Sequence, residues 1–276
     1  MDLYSTLAYD TSRRITLGYS SSFGLSSRLF EGSIRPHIYA IYGLVRIADE
    51  VVDGGVTTNA ALLLDELETS TYRAIADGYS TNPVVHAFAL TARQYRIDRE
   101  LIEPFFASMR LDLSPQTYTT DLYRTYIYGS AEVIGLMCLK VFCDKDSQLY
   151  TDLAPGAGAL GAAYQKVNFL RDMAADYRTL GRFYFPDSTF DTFDTAAKQS
   201  VVDDIRHDFA TAKPAVDHLP ASAKRAVLTS YQYYYRLFER LDHASVETIK
   251  QRRVRLPAAE KLWVLLQTAA TGEARL

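Results

Sequence analysis

Nine prolines, at Pro36, Pro83, Pro104, Pro115, Pro155, Pro186, Pro214, Pro220 and Pro257, divide this 276-residue chain, and the intervals between them repeatedly carry apolar residues at helical spacing. Proline lacks an N–H and its ring crowds the preceding turn of a helix, so a chain cut this way reads as helices joined by short connections. The spacing predicts helices over about 36–53, 58–77, 83–95, 99–111, 120–143, 146–180, 193–213, 220–241 and 257–270. Sustained period-two alternation between turn signals is missing, which disfavours sheets and makes the expected fold class all-α. With 48% hydrophobic residues the chain can bury one large core, and neither a linker nor a solenoid repeat divides it. Residues 1–276 are therefore expected to form a single domain.

The charge balance and the metal-binding residue types exclude several functions. A net charge of −3 supplies no basic field, so nucleic acid is not an expected partner. His37, His86, His207, His218 and His243 are scattered without an HExxH pattern. Cys138 and Cys143 lack CxxC spacing and would fall on different faces of one helix, so they are expected as free thiols in a reducing compartment. The N-terminus has no basic start followed by an apolar stretch, and no uninterrupted apolar segment approaches the roughly 20 residues of a membrane span, so a soluble cytoplasmic protein is expected. Gly156-Ala157-Gly158-Ala159-Leu160-Gly161 fits GxGxxG, but Tyr150–Pro155 is not a convincing strand before it; small residues that let two helices approach closely are the preferred reading.

Aspartates four apart recur, and only some of them carry information. Asp187 and Asp191 follow Pro186 in a Ser/Thr-rich turn, while Lys198, Asp203, Asp204, Arg206, His207 and Asp208 read as a solvated helix face. Asp49 and Asp53 differ because they close a largely apolar helix whose Tyr42, Arg46, Asp49 and Asp53 fall on one narrow stripe, with Glu50 to its side. Gln165, Asn168, Asp172 and Asp176 likewise share one face over three turns. Amide and carboxylate oxygens suit Mg²⁺, which keeps waters and completes its octahedron with substrate phosphate. If the two helices face each other, each pair of carboxylates about 6 Å apart repels by roughly 3 kcal/mol at an effective dielectric near 20. Cations bridging to a diphosphate would reverse that sign, with Arg46, Arg171 and Arg178 neutralising the remaining phosphate charge. The alternative is that each acidic stripe faces water and its arginines form surface pairs.

Several separated motifs, in order, resemble the squalene and phytoene synthase family. They are Ser20-Ser21-Ser22-Phe23; Tyr39-Ala40-Ile41-Tyr42 with Arg46 and Ala48-Asp49-Glu50-Val51-Val52-Asp53-Gly54; Tyr126 to Gly135; Gln165 to Asp172 with Asp176; and Gly181-Arg182-Phe183-Tyr184-Phe185-Pro186. The resemblance implies an all-α isoprenoid synthase fold with a central cavity between the two acidic motifs. It implies that Asp49, Asp53, Asp172 and Asp176, with Asn168, hold Mg²⁺ (Mn²⁺ as a substitute) against prenyl diphosphate substrates. It assigns substrate contacts to Ser22, Phe23, Tyr42, Arg46, Gln165 and Arg171, with Tyr235 and Arg253 as a C-terminal contribution. Tyr126 would stand near the reacting carbons, and Tyr128 and Tyr164 are further candidates for facing a carbocation.

The motif style is closest to bacterial phytoene synthases, and no span-length apolar segment closes the sequence. The implied reaction is head-to-head condensation of two geranylgeranyl diphosphates through a cyclopropyl diphosphate, releasing diphosphate, in carotenoid biosynthesis and without NADPH. Leu25, Ser26 and Ser27 place no large aromatic after Phe23, which would suit a long tail. Gly129, Ser130, Ala131, Val133, Ile134 and Met137 are open to two readings, tail tunnel or core. Squalene or dehydrosqualene synthesis from farnesyl diphosphate is the alternative, and a non-catalytic binding protein on the same fold is the alternative of another class. Peripheral contact with the inner face of a membrane and with downstream carotenoid enzymes is compatible with a hydrocarbon product; oligomeric state is not legible.

Overall fold

Several helices begin where a side chain takes over the orphaned N–H groups of the first turn. Asn82 accepts from Val84 and Val85 just before Pro83, Thr119 caps Leu122, Asp146 caps Leu149, Asp194 caps Ala197, and Ser245 caps Thr248. The computed structural model describes residues 1–19, 21–53 and 59–271, with the side chains of 21–23, 265 and 269–271 outside the description. Its elements are α1 (Leu3–Tyr19), α2 (Ser21–Ser26) with a 3₁₀ turn (Ser27–Leu29), α3 (Arg35–Asp53), α4 (Ala60–Asp77), α5 (Pro83–Tyr95), α6 (Arg99–Leu111) and α7 (Thr120–Ile127). A π turn (Tyr128–Glu132) leads into α8 (Val133–Cys143), followed by α9 (Ser147–Leu180), α10 (Thr195–Asp217), α11 (Ala221–His243), α12 (Val246–Gln251) and α13 (Ala258–Thr271). No strand occurs among the described residues, so the all-α expectation holds.

Proline is a weaker punctuation mark here than the sequence suggests. Pro104, Pro155 and Pro214 lie inside α6, α9 and α10, which continue through them. The sequence reading also missed α1, because its buried face is Ser5, Ala8, Tyr9, Ser12 and Thr16 rather than a row of large apolar residues. That face is secured by polar contacts: Ser5 meets His86 Nε2 at 3.0 Å, and the Tyr9 hydroxyl lies 3.2 Å from His37 Nδ1 and 3.1 Å from the Thr91 hydroxyl.

Helix α9 is the axis of the molecule. Its 34 residues span about 51 Å and pack against α10, α8, the π turn, α11 and α12. The GxGxxG stretch lies in mid-helix, with no strand before it, and works by small size. A Cβ on Gly156 would meet the Ala215 Cβ at 2.3 Å, and one on Gly161 would meet the Ala131 carbonyl oxygen at 2.5 Å. The π turn is wedged equally closely, since a Cβ on Gly129 would lie 2.1 Å from the Pro104 carbonyl oxygen.

Two readings are corrected. Asp204 and Asp208 are not simply a solvated face: both pair with buried Lys166, at 2.6 and 2.7 Å, and Lys198 is itself buried with its ammonium on the Asp242 and Ala244 carbonyls. The stretch Thr120–Cys143 is long and apolar enough to cross a membrane, contrary to expectation, but 61% of its most apolar window is buried against the rest of the protein. Asp187 sits in a turn as expected, in the left-handed region with φ 60°. Cys138 and Cys143 are free thiols.

Gly129→Ala and Gly161→Ala are each expected to cost about 1–3 kcal/mol through overpacking against a fixed carbonyl, lowering Tm by roughly 2–4 °C per kcal/mol. Gly18→Ala, with nothing within 4 Å of the new Cβ, is expected to hold or raise Tm. Thermal melts of the three variants check the contrast.

Candidate active site

Two helices supply opposite walls of one cavity, and along both the lining changes in the same way. On α3 it runs from Ile38 and Ile41 through Tyr42 and Val45 to Arg46, Asp49 and Asp53. On α9 it runs from Leu153, Gly156 and Leu160 through Tyr164 to Gln165, Asn168, Asp172 and Asp176. The cavity, of about 890 Å³, therefore has an apolar end and an ionic end. Phe30, Met109, Ile134, Leu139, Phe142 and Leu219 extend the apolar lining, while Asp112, Arg171, Arg182, Arg253, Arg255 and Lys261 extend the ionic one.

The carboxylates perturb one another across the gap, which is how their convergence registers energetically. Burial pushes Asp49 up to about 7; Arg46 opposes the shift, while Asp53, Asp112 and Glu50 reinforce it. Asp176 is likewise pushed up to about 7 by burial, then by Asp172 on its own helix and by Asp53 from the facing one. Burial raises Asp112 to about 6, against the pull of Arg182 and the Tyr126 hydroxyl.

Arginines hold the remaining acids. Arg182 donates to Asp53 at 2.6 Å and to the carbonyls of Val52 and Asp112 at 3.1 and 2.7 Å, tying the end of α3 to the loop after α9. Asp172 is clasped from two sides, by Arg171 at 2.6 and 3.0 Å and by Arg253 at 2.6 and 3.2 Å. Arg46 bonds Glu50 at 2.7 Å and stands 3.7 Å from Asp49. Burial and then Arg171, Arg253 and Arg255 hold the Lys261 ammonium below its ordinary pKa, so this corner is crowded with cations.

Stacked aromatic rings form part of the cavity lining. Phe169 stacks on Tyr184 at 4.0 Å, Tyr126 lies 5.4 Å from Tyr184 and 5.9 Å from Phe169, and Tyr164 stacks on Tyr234 at 3.9 Å. The buried Tyr126 hydroxyl donates to Asp112 at 2.6 Å.

The expected residues are largely brought together. Asp49, Asp53, Asp172, Asp176, Tyr126, Tyr42, Arg46, Gln165, Asn168, Arg171 and Arg253 all line the cavity. The side chains of Ser22 and Phe23, and Ser20 and Gly54 of the quoted motifs, lie outside the described residues. Tyr235 does not reach the cavity: it packs on Phe209 and Tyr231, and its neighbours Tyr233 and Tyr234 take the lining positions. Arg178 points away, binding the Lys250 carbonyl at 3.0 Å, and Tyr128 is 40% exposed on the outer side of the π turn. Of the tunnel candidates, Ser130, Ala131 and Ile134 line the cavity, whereas Val133 and Met137 belong to the core and Gly129 packs on α6. Sequence reasoning missed Asp112, Arg255 and Lys261, and gave Arg182 and Tyr184 no role; Asp112 stands alone after α6 with no acidic partner at helical spacing.

The donor set suits a hard divalent cation shared with a ligand. Among the described residues no group of three His, Cys, Asp or Glu gathers closely enough to cage an ion alone. Burial and neighbouring carboxylates raise Asp49 and Asp176 to about 7, a penalty that a cation would relieve, and the Asn168 side-chain Oδ1 is buried without a partner. That pattern fits Mg²⁺ bound by one or two carboxylates and completed by phosphate oxygens.

A family model described as "Squalene/phytoene synthase" matches residues 17–260. A phytoene synthase of Arthrospira platensis is 34% identical over 191 residues, covering 65% of this chain and 61% of the relative. A 15-cis-phytoene synthase of Synechococcus elongatus is 29% identical over 272 residues, covering 89% of this chain and 87% of the relative. Among solved structures, a dehydrosqualene synthase in complex with ligand superposes with TM-score 0.81 at 20% identity over 96% of both chains. A squalene synthase of Alicyclobacillus acidocaldarius gives 0.77 at 21% identity, over 88% of this chain and 95% of that one. The isoprenoid synthase fold expected from the motifs is thus the observed one.

The raised carboxyls set the sign of the pH response. In the folded chain Asp49, Asp112 and Asp176 keep protons that the unfolded chain releases from about pH 4 upward, so their contribution to stability falls as pH rises toward 7. In EDTA, Tm is expected to drop between about pH 4 and 7, and Asp176→Asn to melt above the parent at the upper end with the gap closing at the lower. Differential scanning calorimetry across that range checks both.

Proposed function

Because the chain belongs to the squalene/phytoene synthase family, we propose that it is a prenyltransferase that joins two geranylgeranyl diphosphates head to head to form phytoene through a cyclopropyl diphosphate. The observation that carries this reading is the graded cavity, in which two facing acidic helices share an ionic end that runs into an apolar one. A diphosphate with a long hydrocarbon tail is the ligand whose two halves match those ends.

Asp49, Asp53, Asp172 and Asp176, with Asn168, would hold Mg²⁺, which when bound neutralises the diphosphate and makes it a better leaving group. Arg171, Arg182 and Arg253 now occupy the acids. With ligand present they exchange carboxylate for phosphate oxygens, a replacement that planar guanidinium forks make without loss of geometry. Tyr126, Tyr164, Phe169 and Tyr184 offer ring faces to the allylic cation left behind, worth about 0.5–2 kcal/mol each where water is excluded. The bond from Tyr126 to Asp112 fixes the first of these rings.

Farnesyl diphosphate, giving dehydrosqualene or squalene, is the second reading, favoured by the structural neighbours' descriptions. Sequence identity favours the longer substrate, since the relatives at 26–34% identity are phytoene synthases. Phytoene formation needs no NADPH.

Incubation with Mg²⁺ and each prenyl diphosphate, with and without NADPH, followed by identification of the hydrocarbon, is expected to give a forty-carbon product from geranylgeranyl diphosphate alone. A thirty-carbon product would overturn the substrate, and consumption of neither would overturn the activity. Asp49→Ala and Asp172→Ala are expected to reduce turnover by at least about 10³-fold while remaining folded in EDTA. Tyr126→Phe is expected to retain measurable turnover, reduced by roughly 10-fold.

A further inference from the structure

Large aliphatic or indole side chains stand in water at the start of α1 (Met1, Leu3, Leu7), at the start of α4 (Leu62, Leu63, followed by Asp65, Glu66 and Glu68) and along α13 (Leu262, Trp263, Leu266). On α13 the division of faces is sharp. Val264 and Thr268 are fully buried toward α11, where the Thr268 hydroxyl meets that of Thr229 at 2.9 Å, while Leu262, Trp263 and Leu266 are 56%, 49% and 60% exposed on the other side. Trp263 is held in place by Arg236, whose guanidinium lies 4.5 Å above the ring.

Charge sets the α13 patch apart from the other two. Leading into α13, Lys250, Arg252, Arg253 and Arg255 put four cations into six residues, with no acid between Glu247 and Glu260, in a chain whose net charge is negative; Arg253 and Arg255 line the cavity, so Lys250 and the exposed Arg252 are the pair outside it. The start of α1 instead carries Asp2 and Asp10, the latter consuming Arg13 and Arg14. A helix with Trp and Leu on its outer face beside a run of Lys and Arg has the composition that seats in the headgroup region of an anionic bilayer. The position fits as well: Arg255, Leu256 and Lys261 line the cavity, so the apolar stripe begins beside the cavity wall.

We propose that the outer face of α13 docks on an anionic lipid surface, with Leu262, Trp263 and Leu266 in the acyl boundary and Arg252 among the headgroups. The reason a bilayer is wanted there rests on the hydrocarbon product proposed above; the docking itself is measurable without turnover. Trp263 is the only tryptophan in the chain, so its fluorescence reports this face alone.

The full chain is titrated with vesicles of phosphatidylcholine and phosphatidylglycerol in equal parts, with pure phosphatidylcholine, and with no lipid. A blue shift with the mixed vesicles, quenched by brominated acyl chains and weakened by added salt, is expected. Sedimentation with the same vesicles is expected to weaken at least about 10-fold in Leu262→Ser/Leu266→Ser and measurably in Arg252→Glu, which leaves the helix packing alone, and to be unchanged in Leu3→Ser/Leu7→Ser. The proposal is overturned if the vesicles leave the tryptophan spectrum unchanged. It is equally overturned if the blue shift grows with protein concentration in the absence of lipid, which would mean that a second copy covers this face.

Discussion

Repulsion among carboxylates that face each other across a cavity is the constraint around which this chain is built. Burial raises Asp176 on α9 and Asp112 after α6, and Asp53 at the end of α3 adds to both shifts, so three separate elements answer to one electrostatic demand. A fold can hold such groups only by burying compensating apolar surface elsewhere, and the two large core clusters on either side of α9 and α3 provide it. Arg182 is the mechanical complement, joining three backbone or side-chain oxygens of α3 and the α6 end to the segment after α9. The destabilised acids are thereby poised to accept positive charge, a stability–function trade of the usual sign.

The helices were legible because their boundaries are written in local chemistry. Helices over 83–95 and 99–111 match to the residue, since Asn82-Pro83 and Asp98 mark their starts. What could not be read was α1, whose buried stripe is small and polar, and α12, only six residues long. The single stretch expected over 120–143 is interrupted by a π turn, which has no signature in composition or period.

At the site, the same asymmetry holds. Residues that share a helical stripe, such as Asp172 and Asp176 with Asn168 and Gln165, announce themselves because spacing along one helix is readable. Asp112, Arg255 and Lys261 reach the cavity from separate segments, and nothing local distinguishes them from surface charges. Tyr235 shows the converse: one residue of rotation in the run Tyr233-Tyr234-Tyr235 decides which ring meets the cavity, and that angle is fixed by how α11 packs on α10 and α9 rather than by the run itself.

The π turn at Tyr128–Glu132 also decides what the wall of the cavity is made of. Such a turn accommodates one residue more than a regular helix, and each residue carries the helix face around by about 100°. Tyr126, Ser130, Ile134, Cys138 and Phe142 form the row presented inward by this arrangement. Loss of a single residue within the turn would carry every later side chain of α8 around by about 100°, so that Ala131, Gly135 and Leu139, which now line the cavity beside that row, would take its place. The lining in this fold is thus adjustable by insertion and deletion as well as by substitution, and a relative one residue shorter here would present a different wall to the same two acidic helices.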